Sequence, residues 1–69
     1  MTFGEKVRKY RTDRGLTQVE LAEMANLSQV QISDYENGKS GAHPNNKIVL
    51  AMALNIKPSD LDDDKEENA

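Results

Sequence analysis

The apolar residues of the chain recur at helical spacing in short runs, and the first three runs each start at a Ser or Thr that is followed three positions later by Glu or Gln. The pairs are Thr2 with Glu5, Thr17 with Glu20, and Ser28 with Gln31. In such a capping box, the two side chains bond backbone N–H groups that the first turn of a helix leaves unpaired. The pattern therefore predicts a helix start at each of these three positions.

Residues that end or begin helices complete a pattern of five helices without a β-strand. Gly15 and Asn26 suit the left-handed backbone that ends a helix, and Pro44 and Pro58 suit a first helical turn. To within about two residues at each end, the expected helices span residues 3–13, 18–25, 29–36, 45–54 and 59–62. The sequence thus predicts an all-α fold.

The apolar positions also indicate how these helices pack. Leu21, Ala22 and Ala25 form one stripe on the second helix, and the small alanines allow the third helix to approach closely at a steep angle. That geometry is typical of a helix-turn-helix. The other apolar positions expected to pack inward are Phe3, Val7, Tyr10, Leu16, Leu27, Ile32, Tyr35, Ile48, Ala51, Met52, Leu54, Ile56 and Leu61.

The composition argues against several classes of function. The chain of 69 residues has no cysteine, which excludes disulfides and thiolate metal sites. With one histidine, no Gly-rich phosphate loop and no paired carboxylates on ordered structure, we expect neither an enzyme nor a metal or cofactor site. No apolar run is long enough for a membrane span. These features fit a small cytoplasmic domain with no membrane partner and no evident small-molecule ligand.

Charge is distributed unevenly along the chain. Residues 60–69 contain six acidic residues and Lys65, a balance of −5. Since the net charge is −3, residues 1–59 carry +2. Such acidic runs are more often solvated than metal-binding, so we expect a folded domain over residues 1–61 and a disordered acidic tail over residues 62–69. By like-charge repulsion, this tail would weaken non-specific binding to a polyanion.

The pattern T-Q-x-x-L-A-x-x-A-x-L-S-x-x-x-I-S-x-Y-E-N-G-K over residues 17–39 resembles the phage repressor and Cro-type helix-turn-helix (Xre) family. The likeness extends from Val7 to Leu61. It implies a compact five-helix, lambda-repressor-like domain with the helix-turn-helix at helices 2 and 3. It also implies binding to double-stranded operator DNA as a homodimer. Two departures are the few basic residues after Lys39 and the charged Lys47 where the family often has an apolar residue.

The third helix has two different sides at about 100° per residue. One side carries Ile32, Tyr35 and Glu36, and the opposite side carries Gln29, Val30, Ser33 and Asp34. A helix fits the major groove, where Gln pairs with adenine, Val contacts a thymine methyl group, Ser gives or accepts, and a carboxylate accepts from cytosine N4. We expect the second side to contact bases; the alternative is a plain solvated surface.

Other residues are expected to position that helix. The candidate phosphate contacts are Gln18, Ser28, Asn37, Lys39 and Lys47. Gln18 opens the second helix, whose N-terminus favours an anion. We expect Gln18→Ala to weaken binding to all sequences equally, whereas Gln29→Ala relaxes preference at one base pair. The resemblance implies a partly buried structural ion pair between Arg11 and Glu36.

The leading interpretation is a sequence-specific transcriptional regulator, a repressor that binds a palindromic operator as a homodimer with helix 3 in the major groove. We expect a weak dimer that uses helix 5 and the end of helix 4, since helix 3 must stay free. One alternative is an antitoxin or restriction-modification controller, which share this fold. Another is a protein-interaction module that has lost DNA binding and engages a basic partner through its acidic tail.

Overall fold

A computed structural model describes residues 1–62, which contain four α-helices, a short 3₁₀ helix and no β-strand. The elements are α1 (Phe3–Asp13), α2 (Gln18–Ala25), α3 (Gln29–Glu36), α4 (Pro44–Leu54) and the 3₁₀ helix (Pro58–Leu61). The prediction of an all-helical chain is confirmed. The bounds of α1, α2 and α3 match the expected ones, and α4 begins one residue earlier, at Pro44.

The fifth element differs from the prediction, because it is a 3₁₀ helix and not an α-helix. It has four residues, and Asp62 has returned to an extended backbone with ψ 147°. In an α-helix, each backbone N–H donates to the carbonyl four residues earlier. A segment of four residues is too short to form several such hydrogen bonds in succession. The N–H of Asp62 instead bonds the carbonyl of Ser59 at 3.2 Å, which is the tighter 3₁₀ spacing.

All three predicted capping boxes are formed. The backbone N–H groups of Glu5, Glu20 and Gln31 donate to the hydroxyl groups of Thr2, Thr17 and Ser28 at 3.2, 3.0 and 3.1 Å. In return, the side chains of Glu5, Glu20 and Gln31 accept from the three capping N–H groups. Asn26 ends α2 in the left-handed conformation, with φ 58°. The helix starts are therefore set by local chemistry, as the sequence indicates.

The core lies between α1, α2, α3 and α4 and is closed at one end by Leu61. Its buried apolar residues are Phe3, Val7, Leu21, Ala22, Ala25, Ile32, Tyr35, Leu50, Ala51, Leu54 and Leu61. Tyr10, Leu16, Leu27 and Ile56 are partly buried and pack against this cluster. The rings of Phe3 and Tyr35 meet edge to face with centroids 5.6 Å apart, which joins the start of α1 to the end of α3.

The buried side of α4 matches the expectation from the sequence at Ala51 and Leu54 but not at Ile48 and Met52. Ile48 and Met52 are 43% and 72% exposed, whereas Leu50, which was not among the expected core residues, is buried with Ala51 and Leu54. Every residue of α4 from Ile48 to Leu54 is apolar, so hydrophobic periodicity could not select one side. Packing against α2 and the 3₁₀ helix makes the selection, and it leaves Met52 in solvent.

Gly4 permits the close crossing of α1 and α3. A Cβ atom at this position would collide with the backbone carbonyl oxygen of Tyr35. Since the obstacle is backbone and not a flexible side chain, one helix must shift to admit a larger residue. The absence of a side chain at Gly4 therefore sets how closely the two helices pack.

We predict that Gly4→Ala lowers the free energy of unfolding by about 1–3 kcal/mol, the usual cost of overpacking. This loss exceeds the gain of about 0.5–1 kcal/mol that Ala brings to a helix. Urea denaturation provides the measurement. Gly41→Ala is the control, because no atom lies within 4 Å of the added Cβ there. Equal stability of Gly4→Ala and the parent chain would show that the crossing is not as tight as described.

Candidate nucleic-acid interface

The segment from α2 to α3 forms the expected helix-turn-helix. Asn26 turns the chain, and the N–H of Leu27 donates to the carbonyl of Ala22 at 2.8 Å, so α3 starts at Gln29 after a short turn. The inner side of α3 is buried, including Glu36. The outer side carries the residues expected to contact bases. Gln29 and Val30 are exposed, with Val30 at 67%, while Ser33 and Asp34 are half-buried.

The Glu36 carboxylate is fully buried and joins α3 to α1. Arg11 donates through Nε to Oε2 at 2.6 Å and through Nη2 to Oε1 at 3.0 Å. Its Nη1 donates to the carbonyl of Leu16 at 2.8 Å, which also fixes the loop before α2. The Arg11 side chain is 13% exposed. The ion pair expected between Arg11 and Glu36 is thus present, and it is bidentate and shielded from water.

Burial and hydrogen bonding act in opposite directions on Glu36. Burial by itself raises the pKa of the carboxyl group, but hydrogen bonds from Arg11, Gln18 and Arg8, together with the charge of Arg11, outweigh it. The pKa of Glu36 therefore lies below its ordinary value, and the group is ionised at neutral pH. An ionised carboxylate only accepts hydrogen bonds, so every neighbour must donate to it.

Gln18 connects this buried charge to the exposed side of α3. Its Nε2 donates to Oε1 of Glu36 at 3.1 Å, and its Oε1 accepts from Nε2 of Gln29 at 3.2 Å. Because Glu36 can only accept, the orientation of the Gln18 amide is determined, and Gln18 in turn orients Gln29. Within residues 1–62 the amide oxygen of the exposed Gln29 accepts no hydrogen bond. From the sequence, Gln18 was expected to contact phosphate and Gln29 to contact a base. The hydrogen bond between them was not predicted.

Arg8 belongs to the same network, although its role was not predicted from the sequence. Its Nε donates to Oε1 of Glu36 at 3.3 Å, and its Nη2 donates to Oδ1 of Asn37 at 3.2 Å. Asn37 continues the network, because its Nδ2 donates to the hydroxyl of Ser33 at 3.3 Å. Residues three apart share a helix face, so the spacing of Arg8 and Arg11 could have revealed this role.

The remaining candidate phosphate contacts lie in different surroundings. Ser28 caps α3 with its hydroxyl, and Lys39 is exposed just after α3. Lys47 lies away from the Glu36 network. Its Nζ is 3.5 Å from a carboxylate oxygen of Asp62 and 5.3 Å from the centre of the Phe3 ring. Hydrogen bonds thus connect Glu36 to Gln18 and Gln29 on one side, and through Arg8 to Asn37 and Ser33 on the other. Lys47 is not part of this network.

Some expectations are limited by the extent of the described structure. Only Asp62 of the expected acidic tail belongs to it, and the predicted disorder of residues 63–69 lies outside the described residues. Over residues 1–62, no helix has the length and apolar character needed to cross a bilayer. The same residues contain no group of three or more His, Asp or Glu side chains arranged to hold a metal ion.

Comparison with known proteins identifies the family. The sequence model of the helix-turn-helix family matches residues 7–61, and the chain belongs to this family. It is similar to the immunity repressor protein of Bacillus phage phi105, with 39% identity over 59 residues that cover 86% of the chain and 41% of that protein. The chain therefore spans less than half the length of this relative.

Two solved structures share the fold. The restriction-modification controller protein C.AhdI from Aeromonas hydrophila superposes with a TM-score of 0.83 and 36% identity, covering 86% of this chain and 89% of that one. The P22 c2 repressor, solved in complex with a synthetic operator, superposes with a TM-score of 0.85 and 29% identity, covering 90% and 94%. The fold described above is thus that of repressor and controller domains.

We predict that Glu36→Ala lowers the free energy of unfolding by about 3–5 kcal/mol, because it leaves the guanidinium of Arg11 buried without a counter-charge. Thermal melting monitored by circular dichroism provides the measurement. The control is Asp13→Ala, which breaks the exposed pair with Lys9 at 3.0 Å and should cost at most about 1 kcal/mol. If both variants have the same melting temperature as the parent chain, the buried ion pair does not stabilise the packing of α1 against α3.

Proposed function

We propose that the chain is a sequence-specific DNA-binding transcriptional regulator that acts as a repressor by occupying its operator. The observation that carries this proposal is the pair Gln18–Gln29, which is bonded at 3.2 Å and anchored on a buried carboxylate. An exposed glutamine held in one orientation is prepared to read a hydrogen-bonding partner. A plain solvated glutamine would not need such support, because water satisfies it in any rotamer.

The outer side of α3 has the chemistry of major-groove readout. Gln29 can pair with adenine through its amide, and the exposed Val30 can contact a thymine methyl group. An apolar residue that is 67% exposed beside Gln29 suits a surface that becomes covered on binding. Ser33 and Asp34 lie further along the same side, half-buried, where Asp34 would accept from cytosine N4.

Phosphate contacts would position α3 on the duplex. Gln18 retains an N–H for a phosphate beside the N-terminus of α2, and Asn37 and Lys39 follow the end of α3. Ser28 remains a further candidate at the start of α3. Lys47 would be a phosphate contact outside this group, and it would have to leave the carboxylate of Asp62 in order to bind a phosphate.

A role as a restriction-modification controller is the second candidate. It is supported by the superposition on C.AhdI, of which the chain covers 89%. Both candidates bind DNA through the same residues, so the operator decides between them. An operator that lies upstream of a methylase or endonuclease gene would favour the controller, whereas one at a phage promoter would favour the immunity repressor.

The operator would be bound by two copies of the chain. Four apolar residues from the end of α2 and the second half of α4 form a surface patch, here termed the methionine surface, which consists of Met24, Val49, Met52 and Ala53. Met24 and Met52 are 56% and 72% exposed. This surface retains α4 from the expected dimer contact but has the end of α2 in place of the fifth helix, so pairing through it leaves α3 free. On a palindrome, the two α3 helices would lie about 34–36 Å apart, one turn of DNA.

Selection of bound duplexes from a random pool tests the function, and two variants then test the readout. We predict that Gln29→Ala costs about 1–3 kcal/mol on the selected operator and relaxes preference at one base pair. The hydrogen bond between the two glutamines changes the expectation for Gln18→Ala. This variant should weaken binding to all sequences and also relax preference at the Gln29 base pair, because Gln29 loses its orientation.

Affinities on a panel of single-base operator variants measure these effects. Thr12→Ala is the control, since Thr12 is exposed and its hydroxyl bonds only the carbonyl of Lys9 among residues 1–62. A uniform loss across the panel for Gln29→Ala would contradict the placement of α3 in the groove. Recovery of no enriched sequence from the pool would instead favour a protein-interaction module over a DNA-binding regulator.

We predict that Met52→Glu shifts the protein toward monomer in sedimentation without DNA, because the new charge must be desolvated at the methionine surface. The control is Val19→Glu, which places the same charge on an exposed apolar residue of α2 outside this surface. Equal association of the two variants and the parent would show that dimers form elsewhere, or only on DNA.

A further inference from the structure

We propose that Arg8 is an additional DNA-backbone residue, whose guanidinium binds a phosphate group between the side chains of Gln18 and Asn37. This inference rests on the proposed DNA-binding function and adds a contact to it. Neither the repressor pattern in the sequence nor the expected contacts at residues 18, 28, 37, 39 and 47 include Arg8.

The charge around Glu36 is not balanced. Two guanidinium groups, from Arg8 and Arg11, share the single carboxylate of Glu36, which leaves one net positive charge in the cluster. Arg11 is the inner partner, with a side chain 13% exposed, and Arg8 is the outer one at 53%. The uncompensated positive charge is therefore presented to solvent at Arg8 and not at Arg11.

The two arginines also differ in the donors they have left. Arg11 uses Nε, Nη1 and Nη2 in bonds to Glu36 and to the Leu16 carbonyl. Arg8 uses Nε and Nη2, and within residues 1–62 its Nη1 has no hydrogen-bond partner. The planar fork of an arginine suits a phosphate bidentately. Arg8 therefore has both the charge and a free nitrogen for a phosphate, whereas all three guanidinium nitrogens of Arg11 are already engaged.

The position of Arg8 fits a backbone contact. Its Nε and the Nε2 of Gln18 lie 3.3 and 3.1 Å from the same oxygen of Glu36, so the two side chains are neighbours. Its Nη2 donates to Oδ1 of Asn37, which fixes the orientation of that amide, and the Asn37 Nδ2 keeps one N–H beyond its bond to Ser33. A phosphate near Gln18 and Asn37 would thus meet donors from three side chains.

The binding of a random-sequence duplex tests this contact, because phosphate contacts do not depend on sequence. Arg8→Gln removes the charge, and Arg8→Lys keeps it. The matched control is Arg14→Gln, which removes an arginine charge from the end of α1, where the Arg14 guanidinium contacts Tyr10. Affinities are measured by fluorescence anisotropy over a series of salt concentrations.

A phosphate contact at Arg8 predicts that Arg8→Gln reduces the slope of log affinity against log salt by about 1. Arg8→Lys should retain the parent slope, and Arg14→Gln should leave it unchanged. A purely structural role would lower the melting temperature of Arg8→Gln without changing its salt slope, which would overturn the proposal. An equal change in Arg8→Gln and Arg14→Gln would also overturn it, since it would show a general charge effect.

The experiment separates this inference from the proposed function. If the parent chain binds the duplex with a clear salt dependence and Arg8→Gln has the same slope, DNA binding stands and the Arg8 contact fails. If the parent chain does not bind the duplex even at low salt, both the DNA-binding function and the Arg8 contact are refuted.

Discussion

The carboxylate of Glu36 lies where α1, α2 and α3 meet, and its burial imposes the arrangement of the charged and polar groups around it. An ionised group removed from water must be surrounded by donors, and Arg11, Arg8 and Gln18 provide them from two other helices. The angle between these helices is therefore linked to the position of Gln18, and through it to Gln29. A core charge thus positions the exposed amide that the proposed readout needs.

The local features of the fold could be predicted from the sequence because they depend on neighbours along the chain. Thr17 and Glu20 are three residues apart, so their capping box marks the start of α2 without knowledge of the rest of the fold. The buried side of α4 could not be predicted, since Leu50 and Met52 are both apolar and only contacts with other helices distinguish them. The fifth helix, expected over residues 59–62, is present as a 3₁₀ helix over Pro58–Leu61, because four residues favour the tighter spacing.

The candidate site shows the same division between local and long-range information. The outer side of α3 follows from helical periodicity, so Gln29 and Val30 could be selected from the sequence alone. Arg8 contacts Glu36 and Asn37, which are 28 and 29 positions away along the chain. These contacts depend on how α1 crosses α3. Gly4 makes that crossing possible by placing no Cβ against Tyr35. A long-range contact of this kind cannot be predicted from a sequence motif of fixed spacing.

Lys47 stands where the family often has an apolar residue, and its contacts in this fold explain how a charged residue is accommodated there. Its Nζ lies over the face of Phe3 and beside the carboxylate of Asp62, so both the ring and the acid compensate the charge. Because it is half-buried there, its stem covers the apolar ring while the ammonium group stays near solvent. The acidic segment that begins at Asp62 therefore starts beside a lysine of the domain. Any phosphate that approached Lys47 would compete with that carboxylate, whereas Arg8 keeps one guanidinium nitrogen, Nη1, that no carboxylate of residues 1–62 engages.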